Sequence, residues 1–270
     1  MSEIFGSDAY SSKEIAERVE NVGVAKARLP LLSMVMLGVL AGAFTGLGAL
    51  YFVLVVSDPT LGFALSRVLG GIAFSLGLLL VVVAGAELFT GNNLLVMAWA
   101  DGKISTWEVL RNWLIVCAAN FIGALGLAVI VFLSGHAEMN NGAVGKTYLS
   151  IAAAKVAMPF WEAFFKGVMC NVLVCMAVWL AMAGRSVTDK TVAVVFPISA
   201  FVAAGFEHSI ANFYFIPLAM LLAASGTPVP AAANIDLAGM AANLLPVTLG
   251  NLAGGAVLVG GIYWIIWRKA

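Results

Sequence analysis

Two nine-residue stretches carry polar groups through otherwise uncharged hydrophobic sequence: Ala84-Gly85-Ala86-Glu87-Leu88-Phe89-Thr90-Gly91-Asn92 and Ala204-Gly205-Phe206-Glu207-His208-Ser209-Ile210-Ala211-Asn212. Ala, Gly, Glu and Asn recur at the same offsets, so each copy sets one carboxylate (Glu87, Glu207) five residues before one amide (Asn92, Asn212). An ionisable group in hydrocarbon costs several kcal/mol and marks a solute or proton pathway unless it is neutral or hydrogen-bonded. Because the two carboxylates stand in register, and a negative lining repels anions, the favoured reading is architectural: each accepts backbone N–H groups freed where its helix breaks. Asn92 and Asn212 share that role.

His208 is the group whose chemistry is sharpest. Its counterpart in the first copy is Leu88, so the repeat does not require it. Imidazole titrates near pH 6.5, and an imidazole inside a broken helix can exchange protons with a passing solute. Thr90 adds a neutral hydroxyl donor, or else caps the second half-helix. The amides of Asn120, Asn171 and Asn251 read as interhelical glue, with Asn251 expected nearest a pore and Asn171 carried with it as a candidate to line one. Phe74, Leu78, Phe89 and Phe201 flank the breaks, either as core packing or as hydrophobic constrictions. Lys155, with Lys146, falls between two spans, where a lysine at a pore mouth raises the local anion concentration and a solvated loop charge is the plainer alternative.

The elements that position these groups are legible from charge-free runs. Six spans follow, at about 29–57, 68–100 with a break at Glu87, 112–135, 159–184 with Lys166 near its start, 191–224 with a break at Glu207-His208, and 239–267. A span takes about 20 residues, so spans two and five are expected to cross only if their halves are counted together. The pattern Asn-x-Leu-x-Val-x-x-x-Asn-x-x-Gly runs from Asn112 to Gly123 in span three and from Asn243 to Gly254 in span six. Two spaced matches in one order imply halves of three spans, about 29–135 and 159–268. An odd number of spans per half requires the halves to be inverted, and inverted repeats with broken helices meet at a midplane site. Residues 1–28 form a separate segment: Ser11 to Glu14 is a capping box, and Ile15, Val19 and Val22 make a narrow apolar stripe suited to a membrane surface or the protein body. Gly38, Gly42 and Gly46 are a packing ladder, within or between subunits.

Composition excludes the other classes. The chain is 62% hydrophobic and 10% charged, with mean hydropathy +1.02, against roughly 25% charged residues in soluble domains. Net charge is zero, so nothing points to nucleic acid. Cys117, Cys170 and Cys175 lack ligand spacing and only two histidines occur, so neither a metal, another cofactor nor an enzyme's constellation is expected. Glu3, Asp8 and the acids after them replace the basic start of a signal peptide. Ten Lys and Arg fall on the side of the termini against three on the other, which puts both termini in the cytoplasm.

The phrases Glu87 to Asn92 and Gly205 to Asn212 resemble the two signature loops of the formate/nitrite transporter family. Lys166-Gly167 to Cys170-Asn171 and Pro246 to Asn251 resemble its fourth and sixth helices, and Gly184-Arg185-Ser186 with 204–217 is similar to its bacterial formate channels. The resemblance implies an aquaporin-like all-helical fold of six transmembrane helices, a homopentamer in the bacterial cytoplasmic (inner) membrane, and one pore per protomer. It implies constrictions at Phe74, Leu78, Phe89 and Phe201, a chamber lined by Thr90, His208 and Asn251, and an anion drawn in by Lys155. Gly91-Asn92 resembles other branches of the family, which keeps nitrite and hydrosulfide beside formate, with lactate and acetate as further candidates. A water or glycerol channel shares inverted repeats but calls for Asn-Pro-Ala at the breaks, where this chain has Gly-Asn-Asn and Ile-Ala-Asn.

Overall fold

A computed structural model describes residues 9–229 and 235–269; Glu3 and Asp8 lie outside the described residues. Helix α1 (Ser12–Ala27) opens on the expected capping box, with Ser11 and Glu14 bonding reciprocally to each other's backbone. Its apolar stripe lies against the protein body: Ile15, Ala16 and Val19 pack with Leu94, Met97, Cys175, Trp179 and Val259.

Helix α2 (Leu31–Val56) contains no charge and starts after Pro30, a residue that blocks backward extension of a helix. Its glycine ladder packs within the chain. A Cβ on Gly42 would overlap the Asn120 carbonyl, and one on Gly38 would come within 2.6 Å of Ala119. Both partners lie on α5 (Thr106–Leu133), which starts at a second capping box, Ser105 with Glu108.

Helix α3 (Phe63–Leu79) runs without pause into a π-helical turn at Leu80–Gly85. The chain stops being helical there, and after a short turn a 3-10 helix (Gly91–Leu95) leads into α4 (Val96–Ala100). Later in the chain α8 (Val187–Ala203), which packs against α3, ends before Gly205, and α9 (Ser209–Ala224) begins after Glu207-His208. Gly85 (φ 84°) and Gly205 (φ 74°) make the exits; at positive φ a side chain would be strained, which accounts for glycine at both breaks.

Five stretches among the described residues are long and apolar enough to cross a membrane: α2, Phe63–Gly85, α5, α7 (Phe160–Ala183) and the last helix, Leu237–Arg268. The last begins as α10 (Leu237–Leu252), widens into π-helix at Ala253–Gly261, and passes through α11 (Ile262–Trp264). Span five is divided as expected. Span two corrects its expectation, because Phe63–Gly85 is 23 residues long and suffices alone. The earlier bound at residue 68 came from Arg67, but that guanidinium donates to the Ala203 and Val202 carbonyls and so does not end the helix. The segment between spans three and four also differs from a loop: it holds α6 (Ala143–Val156), which carries Lys146 and Lys155.

Candidate functional site

Both breaks are held by a matching set of bonds, with one difference: Lys26 Nζ also donates to Asn92 Oδ1 at 3.0 Å, a bond the second break lacks. Glu87 accepts from Lys26 Nζ at 2.8 Å and from Asn92 Nδ2 at 2.7 Å. Glu207 accepts from Lys155 Nζ at 2.7 Å and from Asn212 Nδ2 at 2.7 Å. Asn92 and Asn212 each also donate to a second amide, Asn112 and Asn243, and those two donate in turn to the backbone carbonyls of Lys26 and Lys155.

Deeper in, Asn120 and Asn251 staple the freed backbone. Asn120 donates to Gly38 O and Glu87 O and accepts from Phe89 N–H at 2.9 Å. Asn251 donates to Gly167 O and Glu207 O and accepts from Ser209 N–H at 3.0 Å. The carboxylates therefore do not take the freed N–H groups, as the sequence suggested. Those go to Asn120 and Asn251, and each carboxylate instead neutralises a lysine from a short helix. Pairing of this kind is what makes a nearly buried carboxylate tolerable.

His208 joins the two breaks. Its Nδ1 accepts from Ala211 N–H at 3.1 Å, capping α9. The single proton of a neutral ring then sits on Nε2, which lies 2.9 Å from Thr90 Oγ1. Nε2–H donates to the threonine oxygen, leaving the threonine hydroxyl hydrogen free to donate onward. Both residues are buried, and Thr90 makes no capping bond for the helix that follows it.

Two cavities lie toward opposite ends of the bundle; His208 lines one of them, and Gly91, the neighbour of Thr90, lines the other. One, about 410 Å³, is lined by α1 residues, Lys26 and Glu87, by Leu78, and by Lys190 at the head of α8. The other, about 240 Å³, is lined by Arg67 and Phe74 of α3, Lys155 of α6, Phe201, Glu207 and His208. Between them the path is greasy. Phe74 meets Phe201 edge-on with ring centroids 5.7 Å apart, Phe201 stacks on the His208 ring at 5.9 Å, and Leu78 stands one turn beyond Phe74 on the opposite cavity.

A family profile described as formate/nitrite transporter matches residues 13–265. The chain belongs to the formate/nitrite transporter family. The formate channel FocA of Haemophilus influenzae is 38% identical over 266 residues, spanning 94% of this chain and 93% of that protein. A solved structure described as a pentameric formate channel with formate bound superposes with a TM-score of 0.81 at 37% identity, covering 88% of this chain and 97% of the other. A second, described as an FNT family ion channel, gives 0.83 at 30% identity, covering 94% and 98%. The chain is thus a multi-pass membrane transport protein and not an enzyme.

Within this formate/nitrite transporter fold the residues singled out by sequence do not all converge. His208 and Thr90 meet. Phe74, Phe201 and Leu78 line the approaches, whereas Phe89 is buried and borders neither of the two cavities. Asn251 was expected nearest a pore, but both its amide hydrogens are taken by backbone carbonyls, so it serves as a staple. Asn171 is likewise internal, donating to Thr90 O, Asn93 Oδ1 and Asn251 O. Lys155 borders a cavity, but as half of a close ion pair rather than as a free charge on a solvated loop. Sequence reasoning missed Lys26, the partner of Glu87, and no local spacing announces it: Lys26 precedes Glu87 by 61 residues and Lys155 precedes Glu207 by 52.

Proposed function

We propose that this chain is a channel for the small monovalent anions of weak acids, formate first, in which a neutral His208 and Thr90 form the polar station between two hydrophobic constrictions. The observation that carries the reading is the 2.9 Å contact between His208 Nε2 and Thr90 Oγ1, made across two helix breaks with His208 lining one cavity and Gly91, next to Thr90, lining the other. The half-helices beginning at Gly91 and Ser209 start there, and helix starts carry partial positive charge that favours an anion. The relatives described as formate channels, one of them a formate-bound pentamer, agree with this reading.

The finer architecture belongs to the same proposal. The matching bonds around Glu87 and Glu207 support two inverted halves of three spans, about 29–135 and 159–268, behind an N-terminal segment 1–28. The assembly is a homopentamer, by likeness to the pentameric neighbour. It sits among lipid in a bacterial cytoplasmic membrane with both termini inside, as the ten-to-three charge asymmetry favours.

In the mechanism an anion enters the wide cavity, exchanges water for the Thr90 hydroxyl and the half-helix starts, and passes Phe74, Phe201 and Leu78. Moving a bare charge past such groups costs far more than moving a neutral acid, so a proton supplied or relayed by His208 eases the crossing. With Nδ1 capping α9, that relay requires the Ala211 N–H to be released while the ring is charged. The experiment is flux in proteoliposomes under a set pH gradient, with formate, nitrite, hydrosulfide, lactate, acetate and glycerol as solutes. His208→Phe should remove the pH dependence of formate flux; retention of that dependence takes His208 out of the mechanism, and glycerol flux equal to formate flux defeats the anion reading.

A further inference from the structure

Of the charged side chains that line the two cavities, most are already neutralised. Lys26 pairs with Glu87, Lys155 with Glu207 and Lys166 with Glu162, at 2.8, 2.7 and 2.7 Å. Two cations are left over, one per cavity. Arg67 lines the cavity on the α6 side and Lys190 the cavity on the α1 side, and neither has a carboxylate partner among the described residues. Asp189, beside Lys190, is turned back onto the start of its own helix, accepting from the Arg185 and Ser186 N–H groups.

The two cations occupy comparable places. Arg67 stands near the head of α3, seven residues before Phe74 and eleven before Leu78, on the helix face that Phe74 and Leu78 share. Lys190 stands near the head of α8, eleven residues before Phe201 and on the same face as that ring. The guanidinium is aimed by two bonds, Nε to Ala203 O at 3.0 Å and Nη2 to Val202 O at 2.7 Å. Those bonds leave Nη1 without a protein partner. Gly205 gives the guanidinium room, since a Cβ there would come within 3.1 Å of Nη2.

We propose that Arg67 and Lys190, rather than the ion-paired lysines, are the anion-collecting charges of the two mouths, each raising the concentration of small monovalent anions in its own cavity. The inference rests on the anion-channel reading above. A neutralised pair projects little field, whereas an unpaired cation in a low-dielectric mouth concentrates counter-charge. A unit charge several ångströms from the anion's path in wet surroundings changes local anion concentration by about threefold.

The test reads formate permeability of oriented proteoliposomes while an impermeant salt, osmotically balanced, is raised on one side only. Screening lengths fall from about 30 Å at 0.01 M to about 3 Å at 1 M. Wild-type permeability should drop about threefold with salt on either side. Arg67→Gln should abolish the response to α6-side salt and keep the α1-side response, Lys190→Gln should do the reverse, and Arg67→Lys should behave as wild type. If Arg67→Gln keeps its α6-side salt response, or if Lys190→Gln alters the α6-side response, the assignment is overturned. Lys190 caps nothing, so its variant remains a fair test even where Arg67→Gln weakens the end of α8. Failure of the anion-channel reading would show earlier, as a wild-type chain that conducts glycerol and no anion.

Discussion

Removing the ammonium of Lys155 should expose how the second break is held. In Lys155→Met the Glu207 carboxylate keeps one amide donor, from Asn212, and loses its counter-ion in a site where its side chain is 5% exposed and the lysine's 12%. Breaking one partner of a buried pair costs about 3–5 kcal/mol because the remaining charge is uncompensated. For a chain of this size each kcal/mol corresponds to roughly 2–4 °C, so the apparent melting midpoint in detergent should fall by about 6 °C or more. Glu207→Gln in the same chain removes the stranded charge, and the double variant should recover most of the loss. The equivalent change at the first break, Lys26→Met, should cost less, because Lys26 is 26% exposed and water can approach Glu87. A thermal series on the four chains of this cycle checks the argument. Strictly additive losses, or a double variant no more stable than Lys155→Met, would refute it.

Asn251→Ala strands the Glu207 carbonyl and the Ser209 N–H at the helix break, and at about 1–3 kcal/mol for each buried group it should lose folded protein on size-exclusion chromatography. Gly123→Ala should fail to assemble, because its Cβ would overlap the Val39 carbonyl, while Gly126→Ala, with open space around it, should fold normally and survive heating as well as wild type. At the α1 end, Glu20 accepts from Lys103 at 2.6 Å and Arg268 at 3.0 Å. The hydrogen bond to Glu20 raises the Lys103 ammonium above its ordinary value. Burial opposes the charge on Asp101, but bonds involving Lys103, Glu20 and Trp264 outweigh it and hold that carboxyl below its ordinary value. A raised lysine stabilises until pH climbs through its folded value, and a depressed carboxylate until pH falls through its own. Amide exchange in α1 should therefore respond little to this cluster between about pH 5 and 9, and Lys103→Met should speed exchange throughout that window.

The breaks were legible because each demands particular residue types: glycine at positive φ, a carboxylate two residues on, and an asparagine five residues beyond it. The spaced Asn pattern of spans three and six was legible too, and the structure shows the reason, since Asn112 and Asn243, then Asn120 and Asn251, make matching bonds. Helix limits read from charge were less faithful. Arg67, Glu108 and Arg111 all lie inside helices, Arg67 and Arg111 donating to carbonyls at the ends of neighbouring helices and Glu108 closing a capping box. The partner of each carboxylate was not legible, because a lysine brought in from a separate short helix leaves no periodic trace. Nor did sequence distinguish Asn251 the staple from a pore-lining amide; only the count of its bonds does that.

The wide turn at Leu80–Gly85 has a consequence for how this chain can change. A π turn holds a residue more than an α turn, so a one-residue deletion between Val81 and Val83 could be absorbed by rewinding rather than by unfolding. Rewinding would take up the lost residue within the turn and leave Glu87 beside Lys26, whereas the same deletion inside the uninterrupted α3 would swing everything after it by about 100° and draw it back by about 1.5 Å. The second such winding begins at Ala253, two residues after Asn251. Slack in the coil is stored beside the fastened points, where length can be adjusted without moving the apolar rings of α3.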